Sequence, residues 1–169
     1  MGLKLLNAVL FQVAWFTAVL GAARGMAWLG PLVLLPVLAI NQALSEDRSG
    51  ELKLLVVAGL LGFLFDTTLV AMGVFTPLQQ LFPRPCSPPW MIGLWLNFAA
   101  TLNVSLGWLR ERYLLATLFG AIGGPLAYYS GAKLGATETL PTIGGLLILA
   151  LGWGIMTPLL YRIAQQVRS

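Results

Sequence analysis

The uncharged runs constrain this chain more than any other feature. A helix crossing the hydrocarbon layer of a bilayer needs about 20 mostly apolar residues. Six stretches meet that demand: residues 3–22, 26–45, 52–75, 90–109, 113–136 and 143–164. Their apolar runs are continuous rather than alternating, which argues for helices and against a β-barrel. Only 9% of the 169 residues are charged. Soluble domains carry roughly 25%, so too little polar surface exists here to cover a water-soluble core. Disorder, which needs high charge and low hydrophobicity, is excluded by the same composition.

The connections are short. Arg24-Gly25 separates the first two stretches, and residues 46–51 separate the second from the third. Arg110-Glu111-Arg112 and residues 137–141 divide the last three. The longest connection, 76–89, contains Pro77, Pro83, Pro85, Pro88 and Pro89 and cannot be regularly helical for long. None could fold separately, so the expected fold is all-α: a single-domain, six-helix transmembrane bundle spanning 1–169. Six crossings put both termini on one side, with Lys4, Arg48, Lys53, Arg110, Arg112, Arg162 and Arg168. Arg24, Arg84 and Lys133 fall on the other. Seven against three predicts cytoplasmic termini for a multi-pass membrane protein. A cleavable leader is the competing reading of the first stretch, on Lys4 and the small residues Gly21 and Ala23. Gln12 and Trp15 suit a bundle helix better.

Residue counts remove whole chemistries. There is no histidine, so His-ligated metals and Ser-His or Cys-His nucleophile pairs are out. Cys86 is the single cysteine, so no internal disulfide or cysteine cluster can form. No phosphate loop, dinucleotide fingerprint or HExxH motif occurs. No metal site and no cofactor is expected, and no catalytic residue can be assigned. The net charge of +4 is scattered along the chain, which fits membrane topology rather than nucleic-acid binding.

The polar residues inside the apolar stretches are the candidate site. Asp66 lies past the midpoint of the third stretch. A carboxylate there costs about 2.5–3.5 kcal/mol on insertion scales, so it should face the bundle interior or a wet cavity. It is either a proton, cation or headgroup site, or a hydrogen-bonded acid that fixes packing. Asn97, Thr101 and Ser105 recur every four residues and would share one face of a fourth helix. That places Asp66 level with Asn97 and Thr101, with a direct hydrogen bond within reach. Thr101 and Ser105 read best as helix-packing groups, while Asn97 and Asn103 remain open. Asn103 projects from the opposite face and needs another neighbour. Arg24 and Lys133 lie near the outer boundary and could snorkel toward Asp66 as ion-pair partners, or anchor the interface. Gly120 and Gly124 form a GxxxG step that admits close helix approach, and Gly124-Pro125 is a candidate hinge. Gly30-Pro31-Leu32 echoes Gly124-Pro125-Leu126, but the accompanying spacings differ, so an inverted repeat is not established.

Several of these segments together resemble one bacterial family. They are Gly21-Ala22-Ala23, Trp28-Leu29-Gly30, Asp66, Pro89-Trp90-Met91, residues 95–109 and the run Gly123-Gly124-Pro125-Leu126-Ala127-Tyr128. The family is the uncharacterised domain-of-unknown-function family 2878 of small inner-membrane proteins, and the resemblance covers nearly the whole chain. Its pattern commonly places a histidine between the Asn and Ser of 103–105, where this chain has Val104. A reaction built on that histidine would be missing here. The resemblance implies no activity. It does imply genomic proximity to enzymes that remodel membrane acyl chains, and hence a lipid-modifying enzyme as partner.

Three functions remain. The first is a non-catalytic accessory factor in membrane-lipid or envelope homeostasis, working with the bilayer lipid and with a lipid-modifying enzyme or as a homo-oligomer. The second is a small proton-coupled transporter using Asp66, Asn97, Thr101 and a Pro125 hinge. The third is a lipid-acting enzyme with Asp66 as general acid or base, assisted by Tyr128 or Lys133.

Overall fold

The computed structural model describes residues 1–168. Six α-helices follow in order: α1 (Gly2–Ala23), α2 (Leu29–Leu44), α3 (Arg48–Ala71), α4 (Pro89–Ala99), α5 (Tyr113–Lys133) and α6 (Ile143–Gln166). Among the described residues there is no named strand, so the all-α expectation holds. Three helices, α1, α3 and α6, are long and apolar enough to cross a membrane by length and composition.

Local chemistry sets several boundaries. Asp47 opens α3 by accepting the Gly50 N–H at 2.8 Å, and Thr142 opens α6 by accepting that of Gly145 at 3.1 Å. Both satisfy a donor that a helix N-terminus otherwise leaves free. Pro89 starts α4 at a position where its missing N–H costs nothing. The Pro-rich connection is non-helical, as its sequence requires. It is tied to the α5–α6 connection: Leu78 N–H donates to Ala136 at 3.0 Å and Glu138 N–H to Thr76 at 2.9 Å. An Arg84–Glu138 salt bridge joins the same two segments.

The fourth stretch departs from expectation. Residues 90–109 do not form one helix. α4 ends at Ala99, turns follow, and a single 3₁₀ turn occupies Gly107–Leu109. The cause is polar competition for the backbone. The Thr101 hydroxyl donates to the Phe98 carbonyl at 2.6 Å, and Asn7 Nδ2 on α1 takes the Ala100 carbonyl at 3.0 Å. Ser and Thr offer the chain such alternatives to helix. Asn97, Thr101 and Ser105 therefore share no helical stripe.

α4 is the central post of the bundle. None of its residues is exposed, and α1, α2 and α3 pack around it. α5 packs chiefly on α6, and α6 also touches α3. The outer helices turn apolar faces outward, for example Leu5, Val9, Val13 and Phe16 on α1, and Leu147, Leu151 and Ile155 on α6. Repetition about every four residues gives each helix an outward-facing apolar stripe.

Candidate functional site

Asp66 is fully buried, as expected for an acid inside so apolar a stretch, near the C-terminal end of α3. Its two oxygens have separate donors. Trp95 Nε1 on α4 donates to Oδ2 at 2.9 Å, and the Tyr128 hydroxyl on α5 donates to Oδ1. Aromatic rings enclose this knot. Trp95 stacks on Trp153 of α6 with centroids 4.4 Å apart and planes 14° from parallel. Phe65 stands edge-on to both indoles, Phe98 to Trp153, and Phe75 to Tyr128.

Glycines make room for the stacked indoles. A Cβ at Gly62 would lie 2.1 Å from Cγ of Trp95, and one at Gly124 2.2 Å from Cγ of Trp153. Each ring lies directly on a bare backbone, so α3 approaches α4, and α5 approaches α6, more closely than any side chain permits.

Beside the knot lies a cavity of about 880 Å³, bounded by α1, α4, α5 and α6. Phe11, Trp15 and Phe16 form one wall, Phe119 and Gly123 the other, and Trp95 and Trp153 line it too. The walls are largely apolar. At one end α1 meets the last turn of α5 and the residues just after it: a Cβ on Gly131 would lie 4.0 Å from Val19, and one on Gly135 3.6 Å from Ala23. Along α1 the cavity reaches from Val19 down to Ala8. Asp66 and Lys133 are the charged side chains lining it. Thr157, fully buried on α6 and facing Gly120 of α5, also lines it, and its hydroxyl has no hydrogen-bond partner.

The structure disperses most of the expected polar set. Asn97 does not reach Asp66. Its Nδ2 donates to the Phe11 carbonyl at 2.9 Å, and its Oδ1 is buried without a partner. The Thr101 hydroxyl donates to the Phe98 carbonyl, so neither residue joins the acid. Ser105 donates through both its N–H and its hydroxyl to Asn7 Oδ1. Asn103 finds its separate neighbours at the far end of the bundle: it donates to Glu51 at 2.7 Å and accepts from Arg110 at 2.8 Å. Neither Arg24 nor Lys133 pairs with Asp66. The Arg84–Glu138 contact is the one salt bridge among the described residues, and Lys133 instead sits over the Tyr129 ring, 5.5 Å from its centroid. α5 continues through Pro125 as one helix.

Three elements of the arrangement were not anticipated. Trp95 and Trp153 read as ordinary apolar content, although Gly62 and Gly124 signalled close contacts at these levels. Asn7 is a buried hub that also donates to Asn41 at 2.8 Å, and its one clue was an amide inside the first apolar stretch. Thr157 directly precedes Pro158, and a Thr-Pro pair inside the sixth apolar stretch was its one clue.

A family model described as a protein of unknown function (DUF2878) matches residues 4–159. The chain belongs to that family. The match takes in all of α2 to α5 and every residue of the Asp66 knot and the cavity wall. No curated protein and no solved structure matches this member.

Proposed function

We propose that this family member is a multi-pass protein of a bacterial inner membrane, with both termini cytoplasmic, that holds a lipid-type amphiphile against the Asp66 knot. In this reading it serves membrane-lipid homeostasis as an accessory factor beside a lipid-modifying enzyme. The observation that carries the reading is the cavity of about 880 Å³ between α1 and α5. Ligand sites span about 300–1,000 Å³ and combine apolar walls with a few fixed polar groups. The outward apolar stripes support membrane embedding, and the seven-to-three basic asymmetry supports the orientation. The broken segment after α4 fits too, because non-helical backbone at membrane depth is tolerated where protein surrounds it.

Native mass spectrometry from mild detergent tests the binding. The wild-type chain should carry a lipid adduct. Gly123→Phe should lose it, since a Cβ at Gly123 meets nothing within 4 Å and the ring would fill the cavity without displacing a neighbour's backbone. An adduct that persists in this variant, or none in wild type, removes the reading. Orientation is tested by a membrane-impermeant maleimide. Cys86, in the Pro-rich connection, should react in intact spheroplasts, whereas Ser49→Cys in a Cys86→Ser background should react only after permeabilisation. The reverse pattern inverts the topology.

A further inference from the structure

The outward face of α1 carries a polar residue that the bundle leaves unanswered. Gln12 stands ten residues from Gly2 and eleven from Ala23, the middle of a helix long and apolar enough to cross a membrane. It is exposed and makes no hydrogen bond among the described residues. An amide turned toward hydrocarbon keeps its donors and its acceptor unmet, which is costly where no water can reach it.

A second regularity runs through the same residue. Leu5, Val9, Gln12 and Phe16 recur at intervals of four, three and four, and all four are exposed. That is the spacing of one seam of a coiled coil, in which each side chain enters a hole between four residues of the facing helix. Val9, Gln12, Val13 and Phe16 have the spacing of such a hole, and they line a shallow hollow together with Ala8 and Thr17. All six belong to α1, so the hollow faces away from the bundle. The seam stops at Val19, which is buried where α1 meets the last turn of α5.

The apolar members of this face select no occupant, since lipid tails cover them as well as another helix does. The amide does select one. It donates and accepts, so it is its own complement. Two copies inserted in one membrane with the same orientation are related by a two-fold axis along the membrane normal, and such an interface is built from the same patch on both. Each Gln12 then meets its counterpart at equal depth, with Nε2 of one donating to Oε1 of the other. A polar residue within an apolar seam also fixes the register, because a slip leaves both amides unpaired.

We infer that a second copy of this chain docks on the seam of Leu5, Val9, Gln12 and Phe16, with the two Gln12 amides paired across the axis. Gln12 and Phe16 also line the cavity, on its α1 side. The same two residues of the second copy therefore border that rim, and each cavity is walled in part by the other chain. The inference rests on the membrane-crossing reading of α1 above and not on what the cavity holds.

Energy transfer between full-length chains tests it. Donor and acceptor dyes are placed on Cys86, and the protein is reconstituted in phosphatidylcholine vesicles and diluted with lipid. Wild type should transfer energy until dilution separates the copies. Gln12→Leu should weaken the dimer about 5- to 30-fold, the worth of amide hydrogen bonds between membrane helices. Gln12→Asn should stay closer to wild type than to Gln12→Leu. In a Cys86→Ser background, Val9→Cys on the seam should form an intermolecular disulfide on oxidation. Ile155→Cys, equally exposed midway along α6, should not.

Absence of transfer at every dilution overturns the inference. So does a dimer as tight in Gln12→Leu as in wild type, or a disulfide that forms at Ile155→Cys and not at Val9→Cys. A monomer whose lipid adduct disappears in Gln12→Leu also overturns it, and gives the amide to the ligand. The lipid and topology readings are decided separately, by the Gly123→Phe adduct and by the maleimide pattern.

Discussion

Tyr128→Phe isolates the chemistry of the Asp66 knot. The substitution removes one hydroxyl and keeps the ring, including its edge contact with Phe75 at 5.1 Å. Asp66 is fully buried, so water cannot replace the lost donor, and Trp95 Nε1 is left as its one partner. Leaving a buried acceptor unsatisfied costs about 1–3 kcal/mol. For a chain of this size each kcal/mol lowers Tm by about 2–4 °C, so the expected fall is about 2–12 °C. The assay is thermal unfolding in detergent, followed by intrinsic tryptophan emission. Tyr129→Phe is the control: Tyr129 is exposed, and its hydroxyl makes no hydrogen bond among the described residues. It should stay within about 2 °C of wild type, as exposed substitutions do. If Tyr128→Phe also melts within 2 °C of wild type, the carboxyl group has access to water, and the dry knot is wrong.

Two further substitutions probe the packing. Gly62→Ala puts a methyl group 2.1 Å from Cγ of the fully buried Trp95. That overpacking should destabilise by about 1–3 kcal/mol net of any gain in helix propensity. Gly123→Ala meets nothing within 4 Å and should be neutral or stabilise by up to about 1 kcal/mol. Equal Tm values for the two variants would show that Trp95 can move aside. Asn7→Leu removes the partner of Ala100, Ser105 and Asn41 together. It should cost about 2–4 kcal/mol and expose the segment after α4 to limited proteolysis in detergent; a wild-type digestion pattern would show that the segment holds its turns without Asn7.

Much of the architecture is written in the order of the residues. Uncharged runs set the helices, prolines keep 76–88 non-helical, and Asp47 and Thr142 mark helix starts because a side-chain oxygen three residues before a free N–H acts locally. The burial of Asp66 was legible as well, since an acid in hydrocarbon must turn inward wherever the bundle forms. Its partners were not. Counting residues from the membrane boundary gives depth but not helix rotation, and it assumed that 90–109 was one straight helix. Depth alone put Asn97 beside the acid. Rotation put Trp95 there instead, because Gly62 leaves a slot for that indole.

One of the two side-chain contacts at the break after Ala99 comes from Asn7, more than ninety residues away, and no local propensity reports a partner that distant. The cavity is a difference between two packings, α1 on α2 and α4, and α5 on α6. Composition determines that these helices are apolar all round. Only the tertiary structure decides which apolar faces meet and which are left apart, because burial of apolar surface is non-directional and favours no one of these faces over another.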